Sequence, residues 1–422
     1  MNVSAHRAFS FLRTYGYERV SCSKEERTVA EALLNECTSL GVSAQLEEFT
    51  VPCGRVSHAL LRVTSPYVKE YEVTGYERAA STPEGGLDAE FLYVENADEV
   101  LLEQAKGKIV LVNGYLNRAT YEKLRKAEVS AILTFTGRTI DRENESDLNR
   151  CKLRETLTEP FGAIPVLNMR AASAAEIVRR GAKTVHIELT GECYDGTSQN
   201  VCATIPGTDK PSEVITLGGH YDSVYFSSGV HDNLSGSVIV LELLRYFAAH
   251  PPRRTLRFCW FGSEEQGLLG SKAYVKAHAD ELNECVAMLN FDVAAPTLGS
   301  NHLVTLATDD ALHYVTGVLR ESGYGVRAKQ DTYSSDCIPF ADNGVPAINL
   351  ARFGANGADY MHNRHDSLKS GYLDEHALDI TLQQGFVLLE RLANAASFPI
   401  KREIAPEIRQ KVDEYLFKAK KE

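Results

Sequence analysis

The nine cysteines contain no CxxC pair and no zinc-knuckle spacing, which excludes a thiolate zinc finger, and their odd number and scatter argue against a disulfide framework. We therefore expect buried thiols in a reducing, cytoplasmic setting. No run of about 18 uncharged apolar residues occurs, so no membrane-spanning helix is expected. The opening MNVSAHRAFSFLRTYGYERV lacks a basic leader followed by an apolar run, so export is not expected either. Basic residues are the minority, 45 Lys+Arg against 57 Asp+Glu for a formal charge of −12. That balance excludes the basic groove that a nucleic acid or an anionic membrane would require. There is also no internal repeat and no low-complexity segment.

What the chain does have is length and apolar content, 422 residues at 44% hydrophobic, and at roughly 100 to 200 residues per domain this suggests two domains. Ser23 followed by Glu26 in SKEERTVAEALLNECTSLG forms a capping box, the apolar positions recur at helical spacing, and Gly41 supplies the stop. VSAQLEEFTV then alternates as a half-buried strand. From residue 54 to residue 193 the texture changes to short strands, with a turn at TPEGG and a polar loop at DRENESDLNR. We read this as a domain inserted into the first, leaving residues 1–53 and 194–422 as one discontinuous domain. Beyond it strands and helices alternate, the pattern of a sheet covered by helices on both faces. QNVCATI, VITLGGH, TLRFCWF, VAMLNFD and PAINLAR read as strands. SGSVIVLELLRYFAAH, LLGSKAYVKAH, DDALHYVTGVLRES, DEHALDITLQQGFVLLERLANA and the tail from about Pro406 read as helices.

The chemistry follows the strands. VITLGG delivers His220 and Asp222, the next loop holds Asp232, FCWFGS delivers Glu264 and Glu265, VAMLNF delivers Asp292, and the loop after PAINLARFG carries His362. In an open α/β sheet, ligands bind beyond the carboxyl ends of the strands, so these groups should converge. Alone, His220 reads as a core histidine bonded to Asp222, and the two glutamates as a solvated helix start. Together they fit hydrolysis with two metals, since imidazole and carboxylate are usual zinc ligands and an ion pair can share a carboxylate and a hydroxide. Asp232 is the natural bridge. Asp232, Glu265, Asp292 and one hydroxide would neutralise two zinc ions, which explains two adjacent glutamates at the end of an aromatic strand.

GGHYDS, GVHDNLSG, WFGSEEQGLLGS, LNFD and YMHNRHDS, in this order, resemble the co-catalytic zinc aminopeptidases of the M28 metallopeptidase family. The resemblance covers about residues 1 to 50 and 198 to 400. It implies an α/β fold, the three-layer zinc-exopeptidase (phosphorylase/hydrolase-like) fold with a mixed central sheet. The insertion, through AKGKIVLVNGYLNRATYEKLRKAEVSAILTF and IPVLNMRAASAAEIVRRGAKTVHIEL, resembles a mostly-β protease-associated (PA) domain. Carried over by position, the resemblance implies that His220 and Asp292 hold one Zn2+, that Glu265 and His362 hold the other, and that Asp232 bridges them. Glu264 would be the general base acting on a metal-bridging hydroxide or its parent water, and Asp222 the carboxylate that orients His220. A cis peptide bond between Asp232 and Asn233 is also implied. His365 competes with His362, and the family spacing selects His362, with Asp366 as a supporting group. The chain departs from the family at Met361, where many relatives have tyrosine and this chain has Tyr360 one residue back, so the oxyanion donor is unassigned. SSDCIPF replaces an SDH version, and His231 beside Asp232 is unusual.

The reading is a zinc-dependent exopeptidase, an aminopeptidase acting on short peptides, with Co2+ or Mn2+ as possible substitutes. A carboxypeptidase or dipeptidase of the same family is the rival; it would need a cationic clamp, for which Arg352 and Arg364 are the candidates. A non-catalytic binding protein on the same fold is a further alternative. The preferred terminal residue and the oligomeric state are not legible.

Overall fold

The computed structural model describes residues 2–141 and 148–418. Residues 142–147 of the DRENESDLNR stretch lie outside the described residues. Two compact units form, Met1–Val51 with Thr197–Glu422, and Pro52–Gly196. Both junctions fall inside long strands, Ser43–Ser65 and Thr184–Ile205.

In the first unit the sheet runs, from one edge, Arg327–Gln330, Gly299–Leu306, Ala347–Gly354, Cys285–Phe291, Lys210–His220, Arg254–Phe261 and Thr184–Ile205. The four strands from Ala347–Gly354 to Arg254–Phe261 are mutually parallel. Gly299–Leu306 and Thr184–Ile205 flank them antiparallel, so the sheet is mixed, as the resemblance implies. Parallel strands buried on both faces read as continuous apolar runs, and Val214 to Gly219 is buried throughout.

The aromatic run at the start of FCWFGSEEQ serves both faces by alternation. Phe258 and Trp260 join Leu12, Leu33, Leu243, Val315 and Leu388 in one core, while Cys259 and Phe261 join Tyr274, Phe340 and Val412 in the other. Helices Ala5–Tyr15, Lys24–Ser39, Ser235–Ala249, Asp309–Glu321 and Glu375–Asn394 thus cover one face. Leu269–Ala277, Cys337–Asp342 and Pro406–Tyr415 cover the other. Trp260 Nε1 donates to Ser237 O at 2.9 Å and fixes the first turn of helix Ser235–Ala249 to the sheet.

In the second unit Leu87–Tyr93, Ile109–Leu111, Ala131–Thr136 and Val166–Arg170 pair in parallel, with Val73–Gly75 antiparallel at the end. Parallel neighbours need crossover connections, usually helical. Arg118–Lys126 and Glu155–Phe161 supply them, helices that the mostly-β expectation did not include.

Candidate metal centre

Four parallel strands end at the same edge of the sheet, and each hands over part of one cluster. Asp232 stands at its middle. One carboxylate oxygen, Oδ1, lies 3.1 Å from His220 Nε2, and the other, Oδ2, lies 2.9 Å from His362 Nε2. Glu265 Oε1 is 3.3 Å from the same His362 nitrogen, and Asp292 Oδ1 and Glu264 Oε2 are each 3.8 Å from His220 Nε2. Three overlapping groups result: His220, Asp232 and Asp292; Asp232, Glu265 and His362; and His220, Glu264 and Glu265, with potential ligand atoms within 4.8 Å of one another in each group. The structure therefore brings together all the residues picked from the sequence. His365 joins none of these groups and rests its ring on Tyr360 instead.

Backbone geometry around the cluster is fixed by buried carboxylates. Asp222, fully buried, sits 3.2 Å from His220 Nδ1 and accepts the backbone N–H groups of Glu264 at 3.0 Å and Glu265 at 3.2 Å. It thus ties the first histidine to the glutamate turn. Asp366 accepts the N–H groups of His231 at 2.7 Å and Asp232 at 3.0 Å, so it supports the bridging loop, whereas the sequence had it supporting His362. The Asp232–Asn233 peptide is cis. Asn233 donates to Phe291 O at 2.8 Å and accepts from Val293 N at 3.0 Å, which locks the loop to the strand end that delivers Asp292. His231 is buried against Tyr372, its Nε2 3.2 Å from Arg352 O, which accounts for its unusual presence by packing.

The electrostatics favour a cation. Asp232, Glu264, Glu265 and Asp292 are four buried or nearly buried carboxyl groups set against two imidazoles, a negative surplus when all four are ionised. Burial, and beyond it Glu265, Asp336 and Asp292, push Glu264 well above the usual carboxylate range against the pull of His220. Asp292 is raised in the same way, by burial and then Asp232. Burial also acts on Asp232, yet the hydrogen bonds from His220 and His362 hold it far below its ordinary value. Glu265, and then Asp232, push the His362 imidazole up to about 12. Imidazole nitrogen with carboxylate oxygen is the donor set zinc takes, and metal charge would relieve the repulsion that raises Glu264 and Asp292. The residues fit two such ions.

Residues 200–383 match the family described as Peptidase family M28. Over this stretch the chain is similar to the M28 peptidases. It is a peptide-bond hydrolase, and the chain is 26% identical to aminopeptidase YwaD of Bacillus subtilis over 79% of this chain and 71% of that protein. It is 36% identical to leupeptin-inactivating enzyme 1 of Streptomyces exfoliatus over 43% of this chain and 41% of that one. Carboxypeptidase Q of Mus musculus is 25% identical over 65% of this chain and 61% of its own. The fold superposes on BSAP, a zinc aminopeptidase from Bacillus subtilis, with a TM-score of 0.78 at 21% identity, covering 96% of this chain and 99% of that one.

Tyr333 carries no signal in the sequence, whereas Tyr360 and the SSDCIPF motif stood out there. Tyr333 is pushed well above its ordinary value by burial and then by Asp292, Asp232, Glu264 and Glu265. Tyr360, by contrast, donates its hydroxyl to Gly357 O at 3.0 Å. Cys337, in the altered SSDCIPF motif, is buried with its Sγ 3.8 Å from Met288 Sδ and is a core residue.

Proposed function

We propose that the protein is an aminopeptidase that works with two zinc ions and removes N-terminal residues from short peptides. His220 and Asp292 would hold one ion, Glu265 and His362 the other, and Asp232 both. The observation that carries this is Asp232, whose two oxygens face different histidines at 3.1 and 2.9 Å. Zinc, when bound, supplies Lewis acidity toward the scissile carbonyl and makes water a nucleophile at neutral pH. The chain's own residues do the rest. Glu264, on the His220 side of the cluster, accepts the proton of the attacking water and passes it to the leaving amine. Asp222 keeps the His220 ring and the backbone of Glu264 in register. Cobalt and manganese suit the same donors.

Amino- rather than carboxypeptidase action is supported by what Arg352 does. A carboxypeptidase needs a cation for the substrate's terminal carboxylate. Arg352, which looked available for that role in the sequence, is 8% exposed and donates to Pro296 O at 2.9 Å, Asn301 Oδ1 at 2.9 Å and Thr297 O at 3.3 Å. The likeness to carboxypeptidase Q keeps the second reading in view. Matched short peptides, one with a free N-terminus and one N-acetylated, assayed with and without chelator, separate the two. Chelator-sensitive cleavage of the free peptide alone is expected, and equal cleavage of the blocked peptide would overturn the aminopeptidase reading.

We also read the Pro52–Gly196 unit as PA-like, supported by its parallel strands and helix Arg118–Lys126 between Ile109–Leu111 and Ala131–Thr136. A cytoplasmic setting is supported by the buried thiols of Cys37, Cys202, Cys259, Cys285 and Cys337, and cell fractionation tests it.

A further inference from the structure

The stretch from Arg19 to Glu26 contributes two buried ionisable side chains that the proposed chemistry does not use. Arg19 is 0% exposed. Its Nε donates to Tyr221 O at 2.7 Å, its Nη1 to Ser228 O at 2.6 Å, Tyr15 O at 3.3 Å and Tyr17 O, and its Nη2 to Gly229 O at 2.8 Å. Its main chain is paired too, with the Arg19 N–H on Ser223 Oγ at 2.9 Å and the Ser223 N–H on Arg19 O at 3.1 Å. Tyr221 directly follows His220, and Gly229 stands three residues before Asp232. One guanidinium therefore pins both ends of the loop that sets the distance between the two. A planar fork of donors can do this, whereas an ammonium cannot reach all of these carbonyls at once.

Glu26 is 1% exposed. Its Oε1 accepts Ser263 N at 3.2 Å and Ser198 Oγ at 2.8 Å, and its Oε2 accepts Cys22 N at 2.6 Å. Ser263 immediately precedes Glu264 and has φ +54°, a left-handed conformation that a non-glycine residue keeps only when its surroundings hold it. With the N–H groups of Glu264 and Glu265 on Asp222, three successive amides of this turn end on buried carboxylates. The turn is thereby fixed from two sides, and its side chains are aimed at the cluster.

We propose that Arg19 and Glu26 are positioning residues of the metal centre. Arg19 sets the span between His220 and Asp232, and Glu26 sets the turn that presents Glu264 and Glu265. The proposal rests on the reading of those four residues as the site. A buried arginine that only braces the fold is available for comparison. Arg254, at the opposite end of its strand from Glu264, donates to Glu213 Oε2 at 2.7 Å, Ala395 O at 2.6 Å and Leu392 O at 3.2 Å.

The test compares full-length wild type with Arg19→Lys, Glu26→Gln and Arg254→Lys. Zinc affinity is read by competition with a chromophoric chelator, and kcat and KM on a free-N-terminus peptide, each per folded molecule. Partners that orient metal ligands are worth about 10–100-fold in affinity or activity. Arg19→Lys is expected to lower zinc affinity and kcat by such a factor with KM little changed, and Glu26→Gln to lower kcat likewise. Arg254→Lys should lower only the melting temperature. If Arg19→Lys does not fold, Glu26→Gln, which keeps the side-chain shape, decides. Arg19→Lys or Glu26→Gln behaving like Arg254→Lys overturns its assignment. A wild type that binds zinc but cleaves no peptide would reject the aminopeptidase reading and leave the zinc-affinity comparison to judge the positioning. A wild type that binds no zinc would reject both.

Discussion

At the scale of the residue, two neighbouring carboxylates have different tasks, and substitution separates them. Glu264→Gln removes the proton acceptor while leaving the ligand set whole, so the expected outcome is retained zinc, unchanged fold and turnover lower by about 10²–10⁴-fold. Metal analysis and a peptide assay on the same preparation check it. Asp232→Asn takes charge from the one group that meets both histidines. It should release metal and lower stability together, because ions bound only by the native state contribute to folding. Calorimetry with and without added zinc reads both. Glu26 provides a pH prediction. Burial, with Asp222 nearby, raises its carboxyl from 4.5 to about 8. Between those values the folded state holds a proton that the unfolded state has lost, so stability contributed at low pH drains away as pH rises toward about 8, by at most roughly 1.4 kcal/mol per unit. Glu26→Gln should flatten that decline in urea titrations run from pH 5 to 9. The residues that touch the proposed metals were legible because each is a ligand type placed just after an apolar strand. Arg19 and Glu26 act through backbone amides and carbonyls, which leave no mark in a sequence. Glu26 was moreover disguised as half of a capping box. Ser23 Oγ does accept the Glu26 N–H at 3.0 Å, but the Glu26 carboxylate turns inward to Cys22, Ser198 and Ser263.

At the scale of the element, helix Ser235–Ala249 approaches the sheet through a glycine. A Cβ on Gly236 would lie 2.1 Å from Phe291 O and 2.6 Å from Asn233 Oδ1, both backbone-anchoring atoms of the loop and strand that deliver Asp232 and Asp292. Gly236→Ala must push the helix off or twist Asn233, and overpacking of this kind costs about 1–3 kcal/mol. Urea unfolding should show that loss, with weaker zinc retention on dialysis beside it. The central strands and long helices were readable, since burial on both faces writes an uninterrupted apolar run and one-sided burial writes a helical stripe. The edge strand Arg327–Gln330 was not, because its sequence RAKQ alternates exposed and half-buried positions without an apolar face. Helix Cys337–Asp342 was too short to show a period.

At the scale of the whole molecule, the sole tryptophan, Trp260, is fully buried four residues before Glu264, so intrinsic fluorescence reports the catalytic unit. All the proposed ligands lie in that unit. Zinc at about a hundred times its dissociation constant adds about 2.7 kcal/mol per site to native stability, and chelation should lower the fluorescence-detected midpoint accordingly. An unchanged midpoint would mean that the ions are not held by the folded cluster.

The order in which the chain supplies the cluster has a bearing on its synthesis. His220, Asp232, Glu264, Glu265 and Asp292 emerge first, and His362 comes only after the strand Ala347–Gly354. A nascent chain that has not reached His362 leaves the second oxygen of Asp232 with no imidazole to meet, and the site lacks one wall. Under the proposed ligand set, hydrolytic competence therefore waits until His362 has been synthesised and joined to the rest of the cluster.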